Sequence, residues 1–353
     1  MSNLNIDDLI KKYSPIVYIH PDEKYYPCSI DWLLRYSTLI DFNLNTRISP
    51  VTQKDLFDTA QRYDFQRRAD GDVILSFDKE VFKGEHPLSS VPCYAYSRIM
   101  QDGKIQIQYI FLFAYNGEYL IAGLENAGYH PGDIEHITAE LSPTGELLRI
   151  FYSAHGTKDG KWLNAKNVTF EDGHPVAFNA LNGHGLYPTL GLVYRLGGFA
   201  NDHLDKGLRW EPEVNIFYSR TDNRFNIDTM GWTVFNSRIG GSPDKPNTEG
   251  ITGLPDKAWM QYGDNPDEGF YDPPPIISQK SSKILDFSQD LIIFIIIYFL
   301  IATILLKLTS KIVKSEYFKY TFKQHIITAI LAFLIYLIYK KLGSSLIKKF
   351  IPA

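Results

Sequence analysis

The residues best placed to do chemistry lie in the segment Tyr129-His130-Pro131-Gly132-Asp133-Ile134-Glu135-His136, which runs straight into an apolar-rich stretch at 137–141. That stretch reads as a strand, and in a strand alternate residues share a face. Asp133 and Glu135 therefore fall on the side of Ile137, Ala139 and Leu141, the side expected to be buried. An unpaired buried charge costs several kcal/mol, so two carboxylates at the end of a buried face need a partner. A cation is the simplest one. His130 lies one Pro-Gly turn upstream, and the spacing His-x-x-Asp-x-Glu puts one nitrogen and two carboxylates within reach of a single ion. The carboxylates favour Ca²⁺ or Mg²⁺, while an imidazole also admits Mn²⁺ or Zn²⁺. The alternative is that the acids accept hydrogen bonds from loop backbone or pair with Arg149 on the next strand. His136 points to the opposite face and reads as a solvated or core histidine.

Two further histidines are candidates for the same site. His155 closes Tyr152-Ser153-Ala154-His155-Gly156, on the strand after Glu135, where antiparallel pairing would bring it near the acids. His184 sits between Gly183 and Gly185, which permit close backbone approach. Each has the chemistry of a ligand or general base, and each also fits a plain loop histidine bonded to backbone. Ser153 and His155, two apart on one strand, do not form a nucleophile pair. The chain has no Gly-x-Ser-x-Gly elbow, phosphate loop or dinucleotide fingerprint.

The elements that position these residues are mostly strands. The clearest is 104–115, where Ile105, Ile107, Tyr109, Phe111, Phe113 and Tyr115 alternate with Lys104, Gln106 and Gln108 at its start. Its later half is apolar on both faces, as a central strand would be. Further strands are expected at 15–20, 72–77, 92–99, 134–141 and 147–155, and short helices at 4–13 and 29–36. Residues 41–68 read as an irregular polar stretch carrying at most a helical turn, and 221–275 as loop-rich. Turns at Asp102-Gly103, Asn116-Gly117 and Asp159-Gly160 recur at hairpin intervals. The expectation is a mostly β domain over 1–277, an antiparallel β-sandwich with long loops and a few short helices.

The chain has 353 residues and a formal net charge of -4, which argues against a nucleic-acid partner. Its two cysteines, Cys28 and Cys93, cannot build a disulfide framework. A linker at 278–290 leads to a hydrophobic segment at 291–308, whose first sixteen residues are uncharged and mostly apolar. A spanning helix wants roughly 20 such residues, so this segment reads as a transmembrane helix. A basic loop at 309–324 follows, then a second hydrophobic segment at 325–342 that reads as another span or an interfacial helix, then a basic tail at 343–353. Lysines flank both segments, so the positive-inside rule gives no orientation. The first residues lack a secretory signal, so the large domain is expected on the cytosolic side.

Several blocks, collinear over about residues 5–260, resemble the vacuolar protein sorting-associated protein 62 family. They include the stretch from Tyr13 to Pro27 with Ile30-Asp31-Trp32 after it, and His130 to His136, where Ile134 replaces the family's usual Trp. Tyr152 to Gly156, Gly183 to Pro188, Asn201 to Trp210 and Trp232 to Gly241 follow in order. The central motif is also similar to that of the necrosis-inducing cytolysins, whose matching segment binds a divalent cation on a β-sandwich. That similarity implies His130, Asp133 and Glu135 as metal ligands. The cytolysins are secreted and disulfide-bonded, and this chain carries neither mark.

The expected function is a non-enzymatic role in protein sorting or membrane trafficking. In it, a membrane-anchored, cation-binding domain would engage lipid and a protein partner. The rival is a metal-dependent hydrolase of the phosphoester class, with His155 or His184 as acid or base. A third reading is a structural membrane protein, viral or cellular.

Overall fold

The computed structural model describes residues 4–65, 71–121, 124–154, 160–193, 201–244, 249–264 and 271. All of them fall in Met1–Ile277, one of two units into which the chain divides. His155 and the segments 278–290, 291–308, 309–324, 325–342 and 343–353 lie outside the described residues. Among the described residues no helix is long and apolar enough to cross a membrane.

At the centre, the strands Ile105–Asn116 and His130–Leu141 pair antiparallel along almost their whole length, from Ile105 opposite Leu141 to Asn116 opposite His130. Every residue of Ile105–Asn116 is buried. They belong to a six-stranded sheet that continues on one side through Leu147–Tyr152 to Lys161–Asn164, and on the other through Cys93–Ile99 to Val214–Ile216.

Both faces of this sheet are covered. On one, Ile107, Tyr109, Phe111, Phe113, Ile137 and Ala139 pack against Val17, Ile19, Ala177, Leu186 and Trp210 of a second sheet and against Ile10 of the first helix. On the other, Ile110, Leu112, Ala114 and Ile134 pack against Leu39, Val73, Leu75 and Ile239 of a third sheet. Covering both faces explains why the second half of the central strand is apolar at every position rather than alternating.

The helices are short and defined by their ends. In Ile6–Lys12, the Asn5 side chain accepts from the Asp7 amide, acids occupy the first turn and lysines the last, which matches the helix dipole. Tyr109 donates its hydroxyl hydrogen to the Ile10 carbonyl at 2.7 Å, tying this helix to the central strand. Gln53–Arg62 is a full helix begun by a capping box between Thr52 and Asp55. Its signature, Thr-x-x-Asp, was present in the stretch read as irregular.

The expectation of a mostly β fold with few short helices holds, but the purely antiparallel sandwich is corrected. Three pairings are parallel: Ile16–Ile19 with His174–Asn179, Cys93–Ile99 with Val214–Ile216, and Val73–Phe77 with Arg238–Ile239. Each brings together strands far apart in sequence, for which no turn signal exists, whereas antiparallel hairpins announce themselves by their turns. Cys28 and Cys93 are both free and buried.

The doubly covered sheet makes its central aromatics costly to lose. Phe111 is buried and meets Trp210 edge-on, ring centroids 5.6 Å apart. Phe111→Ala is expected to lower unfolding free energy by about 3–5 kcal/mol, measured by urea denaturation. A loss below about 1 kcal/mol would show that this face is not core.

Candidate functional site

The neighbouring strand Leu147–Tyr152 stays in register with His130–Leu141 only as far as Tyr152 opposite Ile137. Beyond that point the acid-bearing end of His130–Leu141 borders a cleft of about 490 Å³. His130, Asp133, Glu135, His136 and Ser153 line it from the sheet side, and Asp256, Lys257 and Trp259 from a later segment. All three residues expected as metal ligands therefore reach one cleft. They do not converge on one point: among the described residues, no group of three or more His, Cys, Asp and Glu side chains is arranged to hold a metal ion.

Each acid has found a partner within the chain. Asp133 accepts from the Ile134 amide through Oδ1, at 2.9 Å, and its Oδ2 lies 3.1 Å from His184 Nδ1. His184 Nε2 is 3.1 Å from the Tyr25 carbonyl oxygen and 3.9 Å from Glu23 Oε2. A backbone carbonyl only accepts, so Nε2 donates to Tyr25. The imidazole is fully buried and stacks on Phe113 at 3.8 Å between ring centroids. Glu23 secures the surrounding loop, accepting from the amides of Lys24, Tyr25 and Asn182. His184 adopts a left-handed backbone, φ 57°, between its two glycines.

Glu135 accepts a 2.7 Å hydrogen bond from the Ser153 hydroxyl. Ser153 thus supports a carboxyl and is not placed as a nucleophile. Gly132, with φ 74°, lies between His130 and Asp133, and its carbonyl accepts from His130 Nδ1 at 2.8 Å. A side chain there would be strained by that φ and would crowd the Ile239 carbonyl.

The two acids are driven apart in acidity. Burial pushes the Asp133 carboxyl up, but the His184 hydrogen bond and the positive charge of His184, His130 and Lys257 outweigh it, holding Asp133 below the usual carboxylate range. Burial, reinforced by the charge of Asp133, pushes Glu135 well above that range, against the Ser153 hydrogen bond and Lys257. One carboxyl is ionised while the other holds its proton, a division suited to acid–base work or to cation capture. Burial also lowers the Lys257 ammonium, opposed by the charges of Asp133, Glu135 and Asp256.

His136 lies on the opposite face, as its position in the strand requires. It is buried, bonded through Nε2 to Asp264 Oδ1 at 3.0 Å, and stacked on Trp259. Arg149 pairs with Glu140, at 2.8 Å, and not with Asp133 or Glu135. The strand register puts Arg149 directly opposite Glu140, which corrects the alternative of an Arg149 partner for the acids. Sequence reasoning missed Glu23, Asp256 and Lys257. The last two follow Gly253-Leu254-Pro255 in a stretch read as loop, with no periodicity to single them out.

Residues 1–227 match the family described as "Vacuolar protein sorting-associated protein 62". The Saccharomyces cerevisiae protein of that name is 23% identical over 248 residues, covering 60% of this chain and 53% of the yeast protein. The chain thus spans about half the length of the curated relative it matches. Two solved structures bear a loose likeness. One, described as "NLPPya in complex with glucosamine", is 11% identical with a TM-score of 0.30, covering 59% of this chain and 72% of that one. The other, "Toxin fold for microbial attack and plant defense", is 9% identical with a TM-score of 0.32, covering 61% and 75%.

The split acidity fixes the sign of two pH effects in metal-free protein. Asp133 stabilises the fold above the ordinary Asp value of about 3.9 and loses that contribution as pH falls through its depressed native value. Glu135 acts oppositely: stability falls as pH rises from about 4.3 towards its raised native value. Asp133→Asn should therefore cost about 3–5 kcal/mol at neutral pH, because it breaks the buried pair of Asp133 with His184. Glu135→Gln should be neutral or stabilising there and should abolish the decline with rising pH. Chemical denaturation across about pH 2–8 checks both, and equal losses from the two variants would contradict the assignment.

Proposed function

Because the chain belongs to the vacuolar protein sorting-associated protein 62 family, we propose that it acts in sorting as a non-enzymatic binding protein. The hydrophobic segments 291–308 and 325–342 hold it to a membrane, with the large domain on the cytosolic side. Its cleft takes a divalent cation, Ca²⁺ or Mg²⁺, through Asp133, Glu135 and His130. The bound ion then offers open positions to an anionic lipid headgroup or an acidic protein partner. The observation that carries this reading is the placement of both carboxyls, buried, in the lining of one cleft. The residues suit a hard ion in their donor atoms.

The divided acidity of Asp133 and Glu135 favours a second reading, a hydrolase in which the protonated Glu135 is a general acid. Turnover of a phosphoester by the purified chain, lost in Glu135→Gln, would replace the binding role with that one.

Elemental analysis of the full chain purified in detergent tests the cation. About one Ca²⁺ or Mg²⁺ per chain is expected after equilibration and dialysis, with loss of the ion in Asp133→Asn/Glu135→Gln. No retained ion at millimolar supply would overturn the reading. The anchor is tested by alkaline carbonate extraction of membranes, in which the chain should stay in the pellet. Release into the supernatant would contradict it.

A further inference from the structure

We propose that Lys257 is a tethered internal cation that occupies the charge position of the divalent ion and must yield it when the ion binds. This rests on the cation-binding reading above and adds a competitor to that site. Lys257 is half-buried and lines the same cleft as Asp133, Glu135 and Asp256. Its charge acts on both strand carboxyls, yet among the described residues it makes no contact ion pair with either. An ammonium so placed offsets the charge of ionised Asp133 without filling its coordination positions.

The backbone around Lys257 is fixed, so only its side chain is free to leave. The Lys257 amide donates to the Leu254 carbonyl, and its carbonyl accepts from the amides of Met260 and Gln261. The helix that follows, Ala258–Tyr262, is pinned to the central sheet. Gln108 donates to the Trp259 carbonyl at 2.8 Å, Arg98 donates to the Gln261 carbonyl at 2.9 Å, and Asp264 joins His136. A dication entering the cleft meets the repulsion of a positive charge held close by this frame. The lysine thus sets a threshold concentration below which the cleft stays in its internally paired state. Its long flexible stem lets the head swing to solvent above that threshold.

Mn²⁺ binding to the full chain in detergent, followed by electron paramagnetic resonance of the free ion, tests this. Lys257→Gln should bind Mn²⁺ about tenfold or more tightly than the unmodified chain, as expected from removing a unit positive charge from the lining of the same cleft. Lys257→Arg, which keeps the charge, should stay close to the unmodified affinity. Equal or weaker binding by Lys257→Gln would overturn the competitor role while leaving the cation site standing. No Mn²⁺ binding by any of the three proteins, with Ca²⁺ and Mg²⁺ also failing to bind, would overturn the cation site and the competitor together.

Discussion

A sheet covered on both faces leaves no water for any polar group that points from it, and much of the described domain is arranged around that constraint. Ile105–Asn116 and His130–Leu141 supply apolar side chains to two cores at once. Wherever either strand carries a polar residue, another part of the chain must answer it. Gln106 and Gln108 donate to the carbonyls of Asp264 and Trp259, Glu140 takes Arg149, and His136 and Thr138 bond to the Asp264 carboxylate. The segment after Gly253 is held by these polar ties together with the burial of Leu254 and Trp259.

The same constraint shapes the acid end of the strand. Asp133 and Glu135 continue the face of Ile137 and Ala139, and without compensation their charges would be excluded from it. The chain compensates in three ways. His184, carried on a loop braced by Glu23, supplies a hydrogen bond to Asp133; Ser153 solvates Glu135; and Lys257 adds a diffuse positive potential. Burying two carboxyls side by side leaves one charged and one neutral. That polarised pair is the most distinctive chemical feature of the cleft.

Much of this was legible in the sequence because it rests on local pattern. Alternation in 104–115 and the apolar run after Glu135 marked the two central strands. Ser29 and Asn5 sit where helix N-caps belong. The shared face of Asp133 and Glu135 followed from a period of two, and its burial is as expected. What could not be read was partnership across long stretches of chain. His184 meets Asp133, Asp264 meets His136, and Arg238 pairs opposite Ile74 only through contacts between segments far apart in the chain. The demand of the acids for a counter-charge was readable, whereas its supply by His184 was not. A bound ion and an internal histidine satisfy the same electrostatic need, and spacing alone does not distinguish them. The helix Gln53–Arg62 is a different case, since its capping box is a local signal, Thr52-x-x-Asp55, that the reading of a polar irregular stretch passed over.

The account turns on the claim that one buried carboxyl is ionised and its neighbour is not. Carbon-13 NMR of the side-chain carboxyls of Asp133 and Glu135, followed from pH 3 to pH 9 in metal-free protein, measures this directly. The account predicts that Asp133 keeps its ionised shift to below the ordinary carboxylate range while Glu135 keeps its protonated shift well above it. Two carboxyls titrating together in the ordinary range, about pH 4, would contradict it.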